Sequence, residues 1–176
     1  PVEITIDAST FLDQTVTEGN STNFSLTTVA FSTKTYTGTA PNTAPDYTTG
    51  INADAGLNFL WYIGNPDSGG ILIDGTDTNY TNFKTATLNI TDVTGLDATI
   101  YYVVVLHADN NCFREVKSAT LSTFNTLDDT VTTLINTPLI IDLVDNDKDL
   151  PTTGTMTVDQ PINGVVFISD PKGTSN

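Results

Sequence analysis

Hydrophobic and polar positions alternate in short runs over the first 124 residues, and turn-forming residues separate the runs. They are "VEITID" (Val2–Asp7), "TNFSLTTVAF" (Thr22–Phe31), "LNFLWYIG" (Leu57–Gly64), "GILID" (Gly70–Asp74), "TATLNIT" (Thr85–Thr91), "TIYYVVVLHA" (Thr99–Ala108) and "EVKSATLSTF" (Glu115–Phe124). Alternation with period two marks strands that bury one face. Seven such strands joined by turns predict a sandwich or barrel. In Thr85–Thr91 the inward set is Ala86, Leu88 and Ile90, and Thr87, Asn89 and Thr91 face water. No segment carries apolar residues at the 3.6-residue helical period.

Two stretches break the rhythm. Residues Ser32 to Gly56 are rich in Thr, Pro and Asn, and are long for a connection within a compact domain. After Phe124 the alternation restarts behind "LDD" (Leu127–Asp129), with candidate strands at Thr130–Ile135, Pro138–Val144, Thr155–Val158 and Gly164–Ser169. This divides the chain into a domain over 1–123 and a second unit over 124–176. The second unit is short for a β core that closes unaided, so it is expected to be the N-terminal part of a larger domain. Its edges are then completed by further strands or by a neighbouring chain, since open edges aggregate.

Composition sharpens this picture. Of 21 acidic residues 18 are Asp, against six Lys plus Arg, which gives a net charge of −15 and a pI near 4.1. Asp bonds its own backbone in turns whereas Glu suits helices, so the skew agrees with a turn-rich β protein. Threonine, about a fifth of the chain, favours pleated, half-buried surfaces. The negative field disfavours nucleic acid and anionic membranes as partners and favours divalent cations. No apolar run reaches the ~18–20 residues of a membrane span, so direct membrane insertion is not expected. The single cysteine, Cys112, excludes an intramolecular disulfide. A first residue that is Pro1 rather than Met, with no signal peptide, leads us to expect a processed or excised piece.

The stretch "LNITDVTGLDATIYY" (Leu88–Tyr102) resembles the corner between strands E and F of immunoglobulin-like domains, whose pattern is roughly L-x-I-x-x-V-x-x-x-D-A-x-x-Y-x-C. Leu88, Ile90, Val93, Asp97, Ala98 and Tyr101 fall in register. "EGNSTNFSL" (Glu18–Leu26) looks like strand B, and Trp61 sits where the core tryptophan of strand C belongs. The resemblance implies an Ig-like β-sandwich, with Tyr101 buried and its hydroxyl bonded back to the chain. Leu26 and Val103 stand at the two half-cystine positions, so aliphatic packing is expected there. "HADNNCFREVKSATLS" (His107–Ser122) resembles Ig-like repeats of Bacteroidota surface proteins, in which a cysteine here pairs with one near strand B. "VTEG" (Val16–Gly19) offers Cys112 no such partner.

The second unit resembles cadherin-like tandem repeats of large bacterial adhesins, which open D-D…T-P-x-x-I-x-V-x-x-N-D-x-D and continue into an N-G-x-V strand. Asp128, Asp129, Pro138, Ile141, Val144, Asn146, Asp147, Asp149, Asn163, Gly164 and Val165 match. The resemblance implies an Ig/cadherin-like β-sandwich, incomplete here, in a giant secreted cell-surface adhesin. It implies gliding-motility adhesins exported by type IX secretion as the class.

Candidate chemistry concentrates in "IIDLVDNDKDLP" (Ile140–Pro151). Calcium takes six to eight oxygens from carboxylates, amides and carbonyls. Asp142, Asp145, Asn146, Asp147 and Asp149 supply such groups locally, and Asp128 and Asp129 add carboxylates at the junction. Three like charges within five residues repel one another, which either a cation or a solvated turn accommodates. An EF-hand loop does not fit, because Leu150 and Met156 stand at its glycine and bidentate-acid positions.

Catalysis finds no support. His107, the sole histidine, has no Ser or Cys motif near it in sequence, whereas a catalytic histidine needs a nucleophile and an orienting acid, so it is expected at the surface of a strand end. Cys112 has only Arg114 nearby to activate it, and half-buried packing is the expected role. Trp61 is expected to fill the core, with Tyr62 and Tyr102 on the opposite sides of their strands. N-x-S/T triplets at Asn20, Asn23, Asn79 and Asn89 are discounted in a chain so rich in Thr and Asn. Asp129-Thr130-Val131 fits a short bacterial O-glycosylation pattern.

The chain is therefore expected to be a non-enzymatic, extracellular structural or adhesive module of a cell-surface protein. Neighbouring repeats of the same chain, surface glycans or other cells would be its partners, and calcium would stiffen the tandem domains. A carbohydrate-binding module using the 32–56 loop and exposed tyrosines is the alternative.

Overall fold

A computed structural model describes residues 1–150 and 157–168, with only the backbone considered at 110–113. The chain divides into two units, Pro1–Thr123 and Phe124–Asn176.

The first unit holds thirteen strands: β1 (Val2–Asp7), β2 (Gln14–Thr17), β3 (Thr22–Ser25), β4 (Thr27–Ser32), β5 (Tyr36–Thr39), β6 (Asn42–Pro45), β7 (Ile51–Asn52), β8 (Leu57–Ile63), β9 (Ile71–Leu72), β10 (Tyr80–Thr81), β11 (Thr87–Ile90), β12 (Thr99–His107) and β13 (Asn110–Phe124). The expected run Thr22–Phe31 is one path broken at Leu26. Its second half, β4, pairs with β1 and β7, and its first half, β3, pairs with β11. The N–H of Leu26 donates to the carbonyl of Ala86, 3.0 Å away, which bridges the break. Together these give one layer in the order β1, β4/β3, β11, β10. The other layer runs β2, β13, β12, β8, β9. In Ig lettering these are A-B-E-D facing A′-G-F-C-C′, so the unit is an Ig-like β-sandwich by its own strand order.

Period-two alternation fills the space between the layers. Leu88 and Ile90 on β11, Phe24 on β3, Trp61 on β8, and Tyr101, Val103 and Val105 on β12 are all at most 1% exposed. Ala86 is partly buried and packs against this core. Leu26 and Val103, at the half-cystine positions, are both buried in the same cluster, as expected. Phe11 meets Phe24 and Trp61 edge-on at ring distances of 5.9 and 5.8 Å, an arrangement favoured by the ring quadrupoles. Trp61 also donates its indole N–H to the Thr85 carbonyl, so its polar atom is satisfied in the core.

Two sequence expectations change. Tyr101 is buried, but its hydroxyl meets that of Tyr80 at 3.2 Å rather than returning to the main chain. The two phenols satisfy each other because Tyr80, on β10, is also buried at that corner. Residues 32–56 are not a structureless loop. They carry β5, β6 and β7, with short 3₁₀ turns at Tyr47–Thr49 and Asp54–Gly56.

In the second unit the described residues contain one isolated bridge, Asn125 with Lys148. The strands expected at Thr130–Ile135 and Pro138–Val144 do not form. Thr155 and Met156 of the third expected strand, and Ser169 of the fourth, lie outside the described residues. The described parts of those two carry no ladder either. The physical reason is visible in burial: Leu134, Ile135, Ile140 and Ile162 are 80–100% exposed. Alternation creates a strand only when a partner strand and an opposing layer exist to receive it.

Candidate functional site

The prominence of Asp in the sequence has a local structural cause. Asp7 accepts from the N–H of Ser9, Asp46 from Thr48, Asp74 from Thr76, Asp77 from Asn79 and Asp92 from Thr94. Each is a carboxylate closing a turn onto the amide two residues on. The hydroxyls of Ser9 and Thr94, and then their amides, hold the carboxyls of Asp7 and Asp92 below the ordinary value of 3.8, and the amide and then the hydroxyl of Thr76 do the same for Asp74. Much of the acidity therefore shapes turns rather than a site.

The same use extends into the candidate calcium segment. Asp142 accepts from the N–H of Val144 at 3.2 Å, and Asp147 accepts from the N–H of Leu127 at 2.7 Å. Paired main-chain bonds between Asn125 and Lys148, both 2.9 Å, hold Asp147 beside Leu127 and thus near Asp128 in sequence. Asp128, Asp129, Asp142, Asp145, Asn146 and Asp149 are exposed, and Asp147 is half-buried. Among the described residues no three acidic, His or Cys side chains are gathered so as to hold a metal ion. Asp142 and Asp147 thus each give one carboxylate oxygen to a backbone amide.

His107 corrects a sequence expectation. It is 3% exposed, not a surface residue, because it continues the inward phase of Tyr101, Val103 and Val105 on β12. That phase was readable in the sequence. Its Nε2 is 2.9 Å from the Ala53 carbonyl, and its Nδ1 accepts from the N–H of Asp109 at 3.1 Å. Those partners assign the proton to Nε2. The ring lies directly against Gly56, where any Cβ would collide with it. Asp54 completes this end of the sandwich. It accepts from the N–H of Ala30 and from the Asn52 amide, both at 2.6 Å, and these bonds lower its pKa. The sole histidine is thus a fastener between the 53–56 turn and the end of β12, with both ring nitrogens occupied.

Trp61 and Tyr101 are likewise consumed by packing. Tyr62 and Tyr102 lie opposite each other in register on β8 and β12, both half-buried on the outer side of their layer. Asn79 exchanges two bonds with the main chain of Asp92, so that triplet has a structural use. The side chain of Cys112 lies outside the described residues. Arg114 pairs with Asp67 in an exposed ion pair. A shallow recess of about 300 Å³ is lined by Asn82, Phe83, Lys84 and Thr85. No helix among the described residues is long and apolar enough to cross a membrane.

The feature that sequence reasoning missed is the β5–β6 hairpin. All eight of its strand residues are exposed, so it stands out from the sandwich. Its base is tied down. The N–H of Asp46 donates to the Thr35 carbonyl, and the Thr35 hydroxyl meets those of Thr33 and Thr49 at 2.8 and 3.1 Å. Tyr36, at its start, is 57% exposed. Partial burial, followed by the charge of Glu3 and then Tyr36, raises the pKa of Tyr47.

No family model matches the chain, and no curated protein matches it. Among solved structures, an E-to-A variant of three Ig domains of titin is similar over 69% of this chain, with 21% identity and a TM-score of 0.42. The Ig1-2 module of the Drosophila receptor protein tyrosine phosphatase DLAR is similar over 71%, with 18% identity and a TM-score of 0.42. The matched parts span 32% and 50% of those chains.

Proposed function

We propose that this chain is a non-catalytic structural and adhesive module of an extracellular, cell-surface protein. The observation that carries the reading is where the reactive-looking groups are spent. Trp61, Tyr101 and His107 are buried with every polar atom satisfied, and the first unit closes around them. A sandwich with a finished core and one projecting, base-anchored hairpin is suited to bearing load and presenting a contact. The resemblance to repeats of giant bacterial adhesins supports a tandem array as the setting, with gliding-motility adhesins and type IX export as its specific form. Neighbouring domains of the same chain are then its covalent partners.

Calcium-dependent stiffening, implied by the same resemblance, is a separate proposal about Asp128, Asp129, Asp142, Asp145, Asn146, Asp147 and Asp149.

Beads coated with the full chain test the adhesive reading on cell surfaces. Adhesion above that of beads carrying an unrelated acidic protein is the expected result, and equal retention would refute it.

A further inference from the structure

Resting on the adhesive reading, we propose that the β5–β6 hairpin is the contact element and that its ligand is a neutral carbohydrate. The hairpin carries four paired positions, from Tyr36 opposite Pro45 to Thr39 opposite Asn42. A two-stranded ribbon exposed on both faces is marginal alone in water, so its pose depends on the anchoring at its base. That anchoring is extensive. Beyond the Thr33, Thr35 and Thr49 hydroxyls, Asp46 caps the following turn through the N–H and hydroxyl of Thr48. β7 then returns the chain to β4, and the N–H of Ala53 donates to Ala30 at 2.8 Å. A contact element held this way loses little freedom on binding.

The groups it presents define the ligand's chemistry. By the register, Tyr36 and Thr43 share one face of the ribbon, and Thr37, Thr39 and Asn42 share the other. Among the described residues the Thr43 hydroxyl makes no side-chain hydrogen bond, so its capacity is open to a ligand on the Tyr36 face. Tyr36 adds an exposed ring with an apolar face and a polar tip. From Tyr36 to Pro45 there is no charged side chain, on a protein of net charge −15. An anionic ligand is repelled by the body of the protein, and a cationic one finds its counter-charges elsewhere than on the hairpin. A greasy partner finds only one large apolar side chain there. What matches is a surface of hydroxyls and C–H faces without charge: the Tyr36 ring stacks on a pyranose face, and the Thr43 hydroxyl on the same face of the ribbon bonds a sugar hydroxyl.

The test is a glycan array of neutral and anionic oligosaccharides probed with the full chain, followed by NMR titration with the best neutral binder. Heparin hexasaccharide serves as the anionic comparator. The expected result is saturable binding of a neutral glycan, with shifts confined to amides of residues 36–45 and the hairpin base. Tyr36→Ala weakens it by about tenfold or more, equivalent to about 1.4 kcal/mol. Thr43→Val, on the Tyr36 face, keeps β-propensity and so keeps the hairpin, and it also weakens binding. The proposal is overturned if no neutral glycan binds, if only anionic glycans bind, or if both variants bind as wild type does. Coated beads separate this proposal from the broader one. If the Tyr36→Ala and wild-type beads adhere equally well, the hairpin proposal falls and the adhesive reading stands.

Discussion

His107→Ala and Gly56→Ala, made singly and together, probe the fastener at the end of the sandwich. Removing the imidazole loses two hydrogen bonds, to the Ala53 carbonyl and the Asp109 N–H, each worth about 1 kcal/mol net. Loss of the buried ring adds about 1 kcal/mol more of apolar contact. The single variant should therefore cost about 3 kcal/mol of unfolding free energy. Gly56 is outside the left-handed region, so alanine is allowed by its backbone, but the new Cβ collides with the His107 ring. Overpacking of this kind costs about 1–3 kcal/mol. In the double variant the ring is gone and the methyl occupies part of its space. Its total cost should then be about 3 kcal/mol rather than the ~5 kcal/mol of simple addition, a coupling of about 2 kcal/mol. Urea denaturation of the four proteins, followed by Trp61 fluorescence, reads all the terms. Additive costs would show that the ring does not occupy the space over Gly56.

Two further outcomes follow from the acidic groups. The carboxyls of Asp7, Asp54, Asp74 and Asp92 are all held below the ordinary 3.8 by hydrogen bonds to their charged forms. A depressed folded value means that this stability is fully present above pH 3.8 and is lost as pH falls through the folded values. Thermal melts should be flat from pH 7 to about 4.5 and fall below about 3.8, and Asp54→Asn should reduce the acid sensitivity. Melts of the full chain with calcium and with chelator decide the calcium proposal. A rise in melting temperature with calcium, reversed by chelator and lost in Asp145→Asn, Asp147→Asn, supports it, and identical melts refute it.

The sandwich was legible wherever burial imposes period two. Leu88 and Ile90, Trp61, and the Tyr101–Val105 run are inward in both sequence and structure. His107 belongs to that same phase, and only its polarity argues for the surface. The hairpin was illegible for a different reason. "YTGT" and "NTAP" have no buried face, so their pairing comes from main-chain bonds and base anchoring, which leave no hydrophobic trace. The second unit shows the converse, since "PLIIDLV" has the apolar content of a strand but no ladder among its described residues. Of the candidate calcium ligands, the sequence showed their proximity along the chain. It did not show that Asp142 and Asp147 would be turned toward backbone amides.

Adhesion of this closed module through its projecting hairpin is read most directly by bead retention under flow. Wild-type chain, Tyr36→Ala and the outer-sheet control Tyr102→Ala would be compared at equal coating density. Wild-type and Tyr102→Ala beads should be retained alike, and Tyr36→Ala beads should detach at lower shear. Retention no greater than that of an unrelated acidic protein, or loss on changing Tyr102 but not Tyr36, would contradict it.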